Sequence, residues 1–163
     1  MDLERLSYAV VYSVTYKPTL LHVKLRVVLD TNVWVSAFRS RQGASRKVID
    51  MVIDDEVTMH VTVPLVAEYE EVFVRECAAM NLSRMEVDLL LDLICRLGQH
   101  QEVHYLWRWQ VRDPEDTHVL EAVVAASCPY LLTFNKRDLE EAVHFGIEVL
   151  TPGEFLHVIR QRG

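Results

Sequence analysis

Short apolar runs of strand character alternate with stretches long enough for helices, and that rhythm limits the fold more than any other feature of the chain. Val27, Val28 and Leu29 form an unbroken apolar run, as a strand buried on both faces does. Val57, Met59 and Val61 alternate with polar partners as a second strand, and "PYLLTF" and "IEVLT" supply two more. A further short strand is placed around Val103 and Tyr105.

Between them the spacing turns helical. Ala44, Val48, Met51 and Val52 repeat at one-face intervals, and that helix should end near Asp54 and Asp55. Pro64 opens a second helix in a turn where its missing N–H costs nothing. Ser83 and Glu86 stand at capping-box spacing ahead of Val87, Leu90, Leu91, Ile94 and Leu97, with Gly98 as the stop. "THVLEAVVAAS", "NKRDLEEAVHFG" and "GEFLHVIRQ" complete the set. The resulting order, β-α-β-α-α-β-α-β-α-β-α, requires crossovers between parallel neighbours. It predicts an α/β fold, with a central parallel sheet of about five strands and helices on both faces. Residues 25–163 make one domain, and residues 1–24 stand outside the rhythm as an appended arm or an added strand.

A net charge of −7 argues against a protein that holds nucleic acid by overall positive charge and leaves room for a local basic patch. Cys77, Cys95 and Cys128 are odd in number and lack C-x-x-C spacing, so neither a disulfide framework nor a zinc knuckle is expected. With no membrane-length apolar window and no convincing cleavage pattern after the N-terminal stretch, a cytoplasmic protein is expected.

In open α/β sheets ligands bind beyond the carboxyl ends of the strands, so what each strand delivers there matters most. The first ends in Asp30, followed by Thr31 and Asn32; the second leads to Glu68; the third to Asp113 and Asp116; the fourth to Asn135 and Asp138. On the second helix Leu65, Val66, Tyr69, Val72 and Phe73 share a face, Glu68 and Glu70 flank it, and Glu71 points away. Carboxylates gathered this closely repel unless a cation sits between them. Oxygen-only donors suit Mg²⁺ or Mn²⁺ rather than zinc, and such ions commonly assist phosphodiester hydrolysis.

The blocks "VVLDTNVWVSAF", "VPLVAEYEEV", "RDPEDTHVLEAVVAA" and "LLTFNKRDL", in this order, resemble the PIN-domain ribonucleases, in particular the toxins of toxin–antitoxin pairs. The resemblance spans roughly residues 25–150. It implies that Asp30, Glu68, Asp116 and Asp138 form a catalytic, metal-holding acid cluster, with Thr31, Asn32 and Asn135 supporting it. Some relatives carry an acid where this chain has Asn135. The implied activity is a Mg²⁺- or Mn²⁺-dependent endoribonuclease, usually homodimeric and held inactive by a small antitoxin protein.

Plainer roles fit several of these residues. Asp30 and Asp138 each suit a helix cap, and Asp113, Pro114 and Asp116 make a good helix start without any metal. The basic run Arg39, Arg41, Arg46 and Lys47 suits either a solvated loop or RNA phosphate contacts. Trp107 and Trp109 around Arg108 invite a base-stacking reading, but two large aromatics at alternate positions more often belong to core or dimer interface. The seven histidines show no ligand spacing. Among other functions, a non-catalytic PIN module binding RNA or a protein competes with the enzyme. A haloacid dehalogenase-like phosphatase is disfavoured, because Asn32 occupies the place of its general acid.

Overall fold

The computed structural model describes residues 24–103 and 117–162. The arm at residues 1–23, Tyr105, Trp107, Arg108, Trp109, Asp113, Pro114 and Asp116 lie outside the described residues.

β1 (Leu25–Leu29) occupies the centre of a five-stranded sheet, because Val27, Val28 and Leu29 are fully buried and so need cover on both faces. β2 (Val57–Val61) lies on one side of it and β4 (Tyr130–Leu132) on the other. β3 (Gln99–His100) and β5 (Glu148–Leu150) form the edges, giving the order β3-β2-β1-β4-β5 with every pair parallel. The chain thus reverses its direction of winding between β1 and β4, the kind of place where open parallel sheets bind ligands.

Two helices, α1 (Thr31–Arg39) and α2 (Ala44–Ile53), separate β1 from β2, where the sequence spacing predicted one. The additional helix carries Val33, Trp34 and Val35, residues of strand-like propensity. Tertiary burial decides the matter: all three are buried, as is Ala37, on a segment that Asp30 caps from extended backbone.

α3 (Val63–Met80) is capped by the Thr62 hydroxyl, which accepts from the Leu65 amide, and Pro64 sits in its first turn. Asn81, in the left-handed region, ends it. α4 (Arg84–Leu97) begins with the expected capping box, the Ser83 and Glu86 backbone and side chains bonding reciprocally.

β3 begins immediately after Gly98, earlier than the predicted strand around Val103, and Val103 lies in no strand. The reason is steric. A Cβ on Gly98 would stand 2.7 Å from a methyl of Val61, so only glycine lets the chain run this close beside β2. The Gln101 amide then bonds the Val61 carbonyl at 2.9 Å.

α5 (Thr117–Ala125), a 3₁₀ helix (Glu140–Phe145) and α6 (Pro152–Arg162) complete the chain. Gly146, at φ 73°, closes the 3₁₀ segment. α3 packs against α1, α4 and α5, and α2 packs against α6.

At the α1–α3 contact Tyr69 and Phe73 stack at 5.7 Å, and Trp34 meets each edge-on at 6.3 and 6.5 Å. The Tyr69 hydroxyl donates to the Leu29 carbonyl, joining α3 to the last residue of β1. This aromatic group fixes the relation between the two helices that border the site described next.

Candidate metal centre at the carboxyl edge of the sheet

The pairing of β1 with β4 builds the site. Leu29 is in register with Leu132, so the residues that follow them, Asp30 and Thr133, come face to face at the strand ends. The Asp30 amide bonds the Leu132 carbonyl at 2.9 Å, and the Thr133 hydroxyl donates to Asp30 Oδ2. Asp30 is 6 % exposed and Thr133 wholly buried, so this contact is shielded from water.

Asn32 completes the arrangement around that carboxylate. Its Nδ2 donates to Asp30 Oδ2 at 2.7 Å and to the Thr133 hydroxyl at 3.2 Å, while its Oδ1 accepts the Phe134 amide at 3.2 Å. Its backbone amide approaches Asp30 Oδ1 at 3.5 Å as the cap of α1. Burial pushes the Asp30 carboxyl above its ordinary pKa, and the Thr133 hydroxyl and the amides of Asn32 and Thr31 oppose that shift.

A second carboxylate arrives from α3. The Thr31 hydroxyl donates to Glu68 Oε1 at 2.7 Å, linking the first turn of α1 to α3. The helical positions of Glu68 and Glu70 left two candidates open, and α1 separates them. Glu68 is half-buried beside Thr31, whereas Glu70 is exposed, 3.9 Å from Arg84. Burial raises the Tyr69 hydroxyl pKa well above its usual value, and the charges of Asp30 and Glu68 raise it further. Tyr69 therefore stays a donor to the sheet.

Asp30, Thr31, Asn32 and Glu68 line one cleft of about 560 Å³, together with Arg39. The other residues of the basic run do not line it. Arg46 bonds Asp50 at 2.9 Å, and Arg41 and Lys47 are exposed elsewhere. Asn135 is exposed and donates its amide to the Thr133 hydroxyl at 2.8 Å. Asp138 is half-buried in the turn ahead of the 3₁₀ helix and does not line the cleft.

Sequence reasoning missed Thr133, Phe134, Arg75 and Glu76, all part of this neighbourhood. The signal for Thr133 is its place directly after "YLL", one step beyond the residue paired with Leu29. No comparable local signal marks the others.

Oxygen atoms are the donors that the described residues bring to the acid end of the cleft, a set suited to a hard divalent cation. Among the described residues Asp30 and Glu68 are joined by no third group in a metal-holding cluster.

The domain is an open parallel α/β sheet with two carboxylates lining a cleft at its winding reversal, the place where such sheets usually bind ligands. The family is more particular. The chain belongs to the PIN-domain family, whose model matches residues 26–137, a span that includes Asp30 and Glu68. PIN domains are generally nucleases and typically use divalent metals. None of the curated proteins matches the chain. No helix among the described residues is long and apolar enough to cross a membrane.

Proposed function

We propose that the protein is a Mg²⁺- or Mn²⁺-dependent endoribonuclease that hydrolyses RNA phosphodiester bonds. The presence of Asp30 and Glu68 in the lining of one cleft, each accepting a bond from its own hydroxyl donor, carries this reading. Asp30, Glu68 and Asp116 would hold the metal, with Asp138 as the fourth acid that the family resemblance implies. A bound divalent ion supplies an activated water and neutralises charge on the phosphorus oxygens.

The protein's own residues prepare for that chemistry. Thr133 and Asn32 both bond Oδ2 of Asp30, which fixes the carboxylate plane. Thr31 orients Glu68 from the opposite side of the cleft. Arg39 stands at the rim, where it can meet substrate phosphate, and its partner Glu76 at 2.8 Å holds it in place between turnovers. Asn32 and Asn135 both bond the Thr133 hydroxyl and so support the same group.

The resemblance to PIN toxins extends the proposal. The protein would act in the cytoplasm as the toxin of a toxin–antitoxin pair, as a homodimer whose cleft a small antitoxin protein covers.

Purified protein incubated with mixed transfer and ribosomal RNA should cleave in Mg²⁺ or Mn²⁺ and stop in EDTA. Absence of cleavage, together with no Mn²⁺ binding by calorimetry, would overturn the enzyme and leave a non-catalytic PIN module. Thr31→Val, which keeps the shape and deletes the donor to Glu68, should weaken Mn²⁺ binding by about 10- to 100-fold with the helix content unchanged. Calorimetric titration with circular dichroism checks both parts. Unaltered affinity would show that Thr31 does not orient a metal ligand.

A further inference from the structure

Phe134 is 51 % exposed, although its backbone is tightly held. Its amide donates to Asn32 Oδ1, and the residues on either side meet through the bond from the Asn135 amide to the Thr133 hydroxyl. The backbone that carries the ring is therefore held in place, and the ring itself is an exposed apolar face lining the cleft. A single carboxamide separates it from the reactive end, because the Asn32 group that accepts from Phe134 also donates to Asp30.

The remaining lining suits the parts of a nucleotide. Val35 and Val72 supply apolar wall to the same cleft. The guanidinium groups of Arg39 and Arg75 stand at the rim, 54 % and 62 % exposed as side chains. Arg75 lies 3.7 Å from the exposed Glu71, a weak surface pair that a phosphate can replace. An exposed aromatic face sharing a cleft with arginines is an arrangement by which proteins hold single strands: bases stack on the ring and phosphates meet the cations. In a duplex both faces of each base are already stacked, so the ring has nothing to receive.

We propose that Phe134 is a base-stacking platform for single-stranded RNA, seating one unpaired base beside the scissile phosphate while Arg39 and Arg75 hold flanking phosphates. The choice of RNA rests on the nuclease reading above; the stacking geometry rests on Phe134 itself. The platform would make unpaired loops and ends the preferred substrates.

The test uses the full chain in EDTA at low salt with a single-stranded oligoribonucleotide carrying 2-aminopurine. Wild type should bind and quench the probe, and the same sequence as a duplex should bind more weakly. Phe134→Ala and Phe134→Leu should each weaken binding roughly 5- to 150-fold and abolish quenching, the range expected for one base–aromatic stack. Phe134→Trp should restore both, and circular dichroism should show all variants folded. Equal affinity and quenching in the alanine and leucine variants would overturn the platform, as would failure of wild type to quench. Cleavage assays in Mn²⁺ separate the two readings. Quenching without cleavage by wild type retains the platform and removes the nuclease, whereas cleavage that is indifferent to Phe134→Ala and Phe134→Leu retains the nuclease and removes the platform.

Discussion

Replacing Asp30 by Asn is expected to lower RNA cleavage by roughly three orders of magnitude or more, since a metal's contribution of several kcal/mol to the barrier is lost with its ligand. The same variant should gain in melting temperature relative to wild type, in EDTA, as pH rises from acid to neutral. Both expectations come from the burial of one carboxylate. Asn caps a helix about as well as Asp, but its single carbonyl oxygen replaces two that accept from Asn32 and Thr133, a cost that does not vary with pH.

The buried charge, in contrast, opposes folding. Burial holds the Asp30 carboxyl above its ordinary value of 3.8, so the folded chain binds this proton more tightly than the unfolded chain does. Stability from this group is therefore intact below that ordinary value and falls as pH rises through the folded-state value. Asn does not titrate, so the gap in melting temperature between variant and wild type should open towards neutral pH and close in acid. Saturating Mn²⁺ should raise the melting temperature of wild type alone, by about 2.7 kcal/mol of linkage at a hundredfold excess over Kd. Thermal melts with and without Mn²⁺ across pH test the set. A difference in melting temperature that does not change with pH would show that burying the Asp30 charge does not oppose folding.

Phe73→Ala should produce the largest loss of stability. Phe73 is fully buried, stacks on Tyr69 and meets Trp34 edge-on, and truncating such a residue costs about 3–5 kcal/mol. For a chain of this size that corresponds to a fall in melting temperature of roughly 6–20 °C. Leu89→Ala, at a side chain 54 % exposed on α4, should shift it far less. The Phe73 variant should also bind Mn²⁺ more weakly at temperatures where it remains folded, because Trp34 and Phe73 couple α1 to α3, and Thr31 and Glu68 face each other across that contact. Calorimetry after a melting scan measures both. A stable Phe73 variant would mean that the aromatic group does not set the helix spacing.

What a residue pattern shows is what neighbours along the chain decide. Val27 to Leu29 read as a central strand because both faces are apolar, and Ser83 with Glu86 reads as a helix start because the capping bonds are local. α1 was hidden because Val33, Trp34 and Val35 favour a strand and only their burial against α3 makes the segment helical. Asp30 was legible from its place at a strand end. Its partner Thr133 was not, since the two are brought together by the register of strands a hundred residues apart in sequence, which no short window contains. Which of Glu68 and Glu70 stands beside Thr31 was likewise undecided on an isolated helix and follows from where α1 packs.

The two outer strands of the sheet have a consequence for how copies of this chain could meet. β3 pairs over two residues and β5 over three, with Gln99, His100 and Glu148 exposed. Margins this short and polar offer almost no backbone template to a foreign strand, which is one of the ways natural sheets avoid aggregating edge to edge. Among the described residues, that leaves the helical surfaces to carry any self-association, and an interface there would be alterable by surface substitution without disturbing the ladder that holds Asp30 against Thr133.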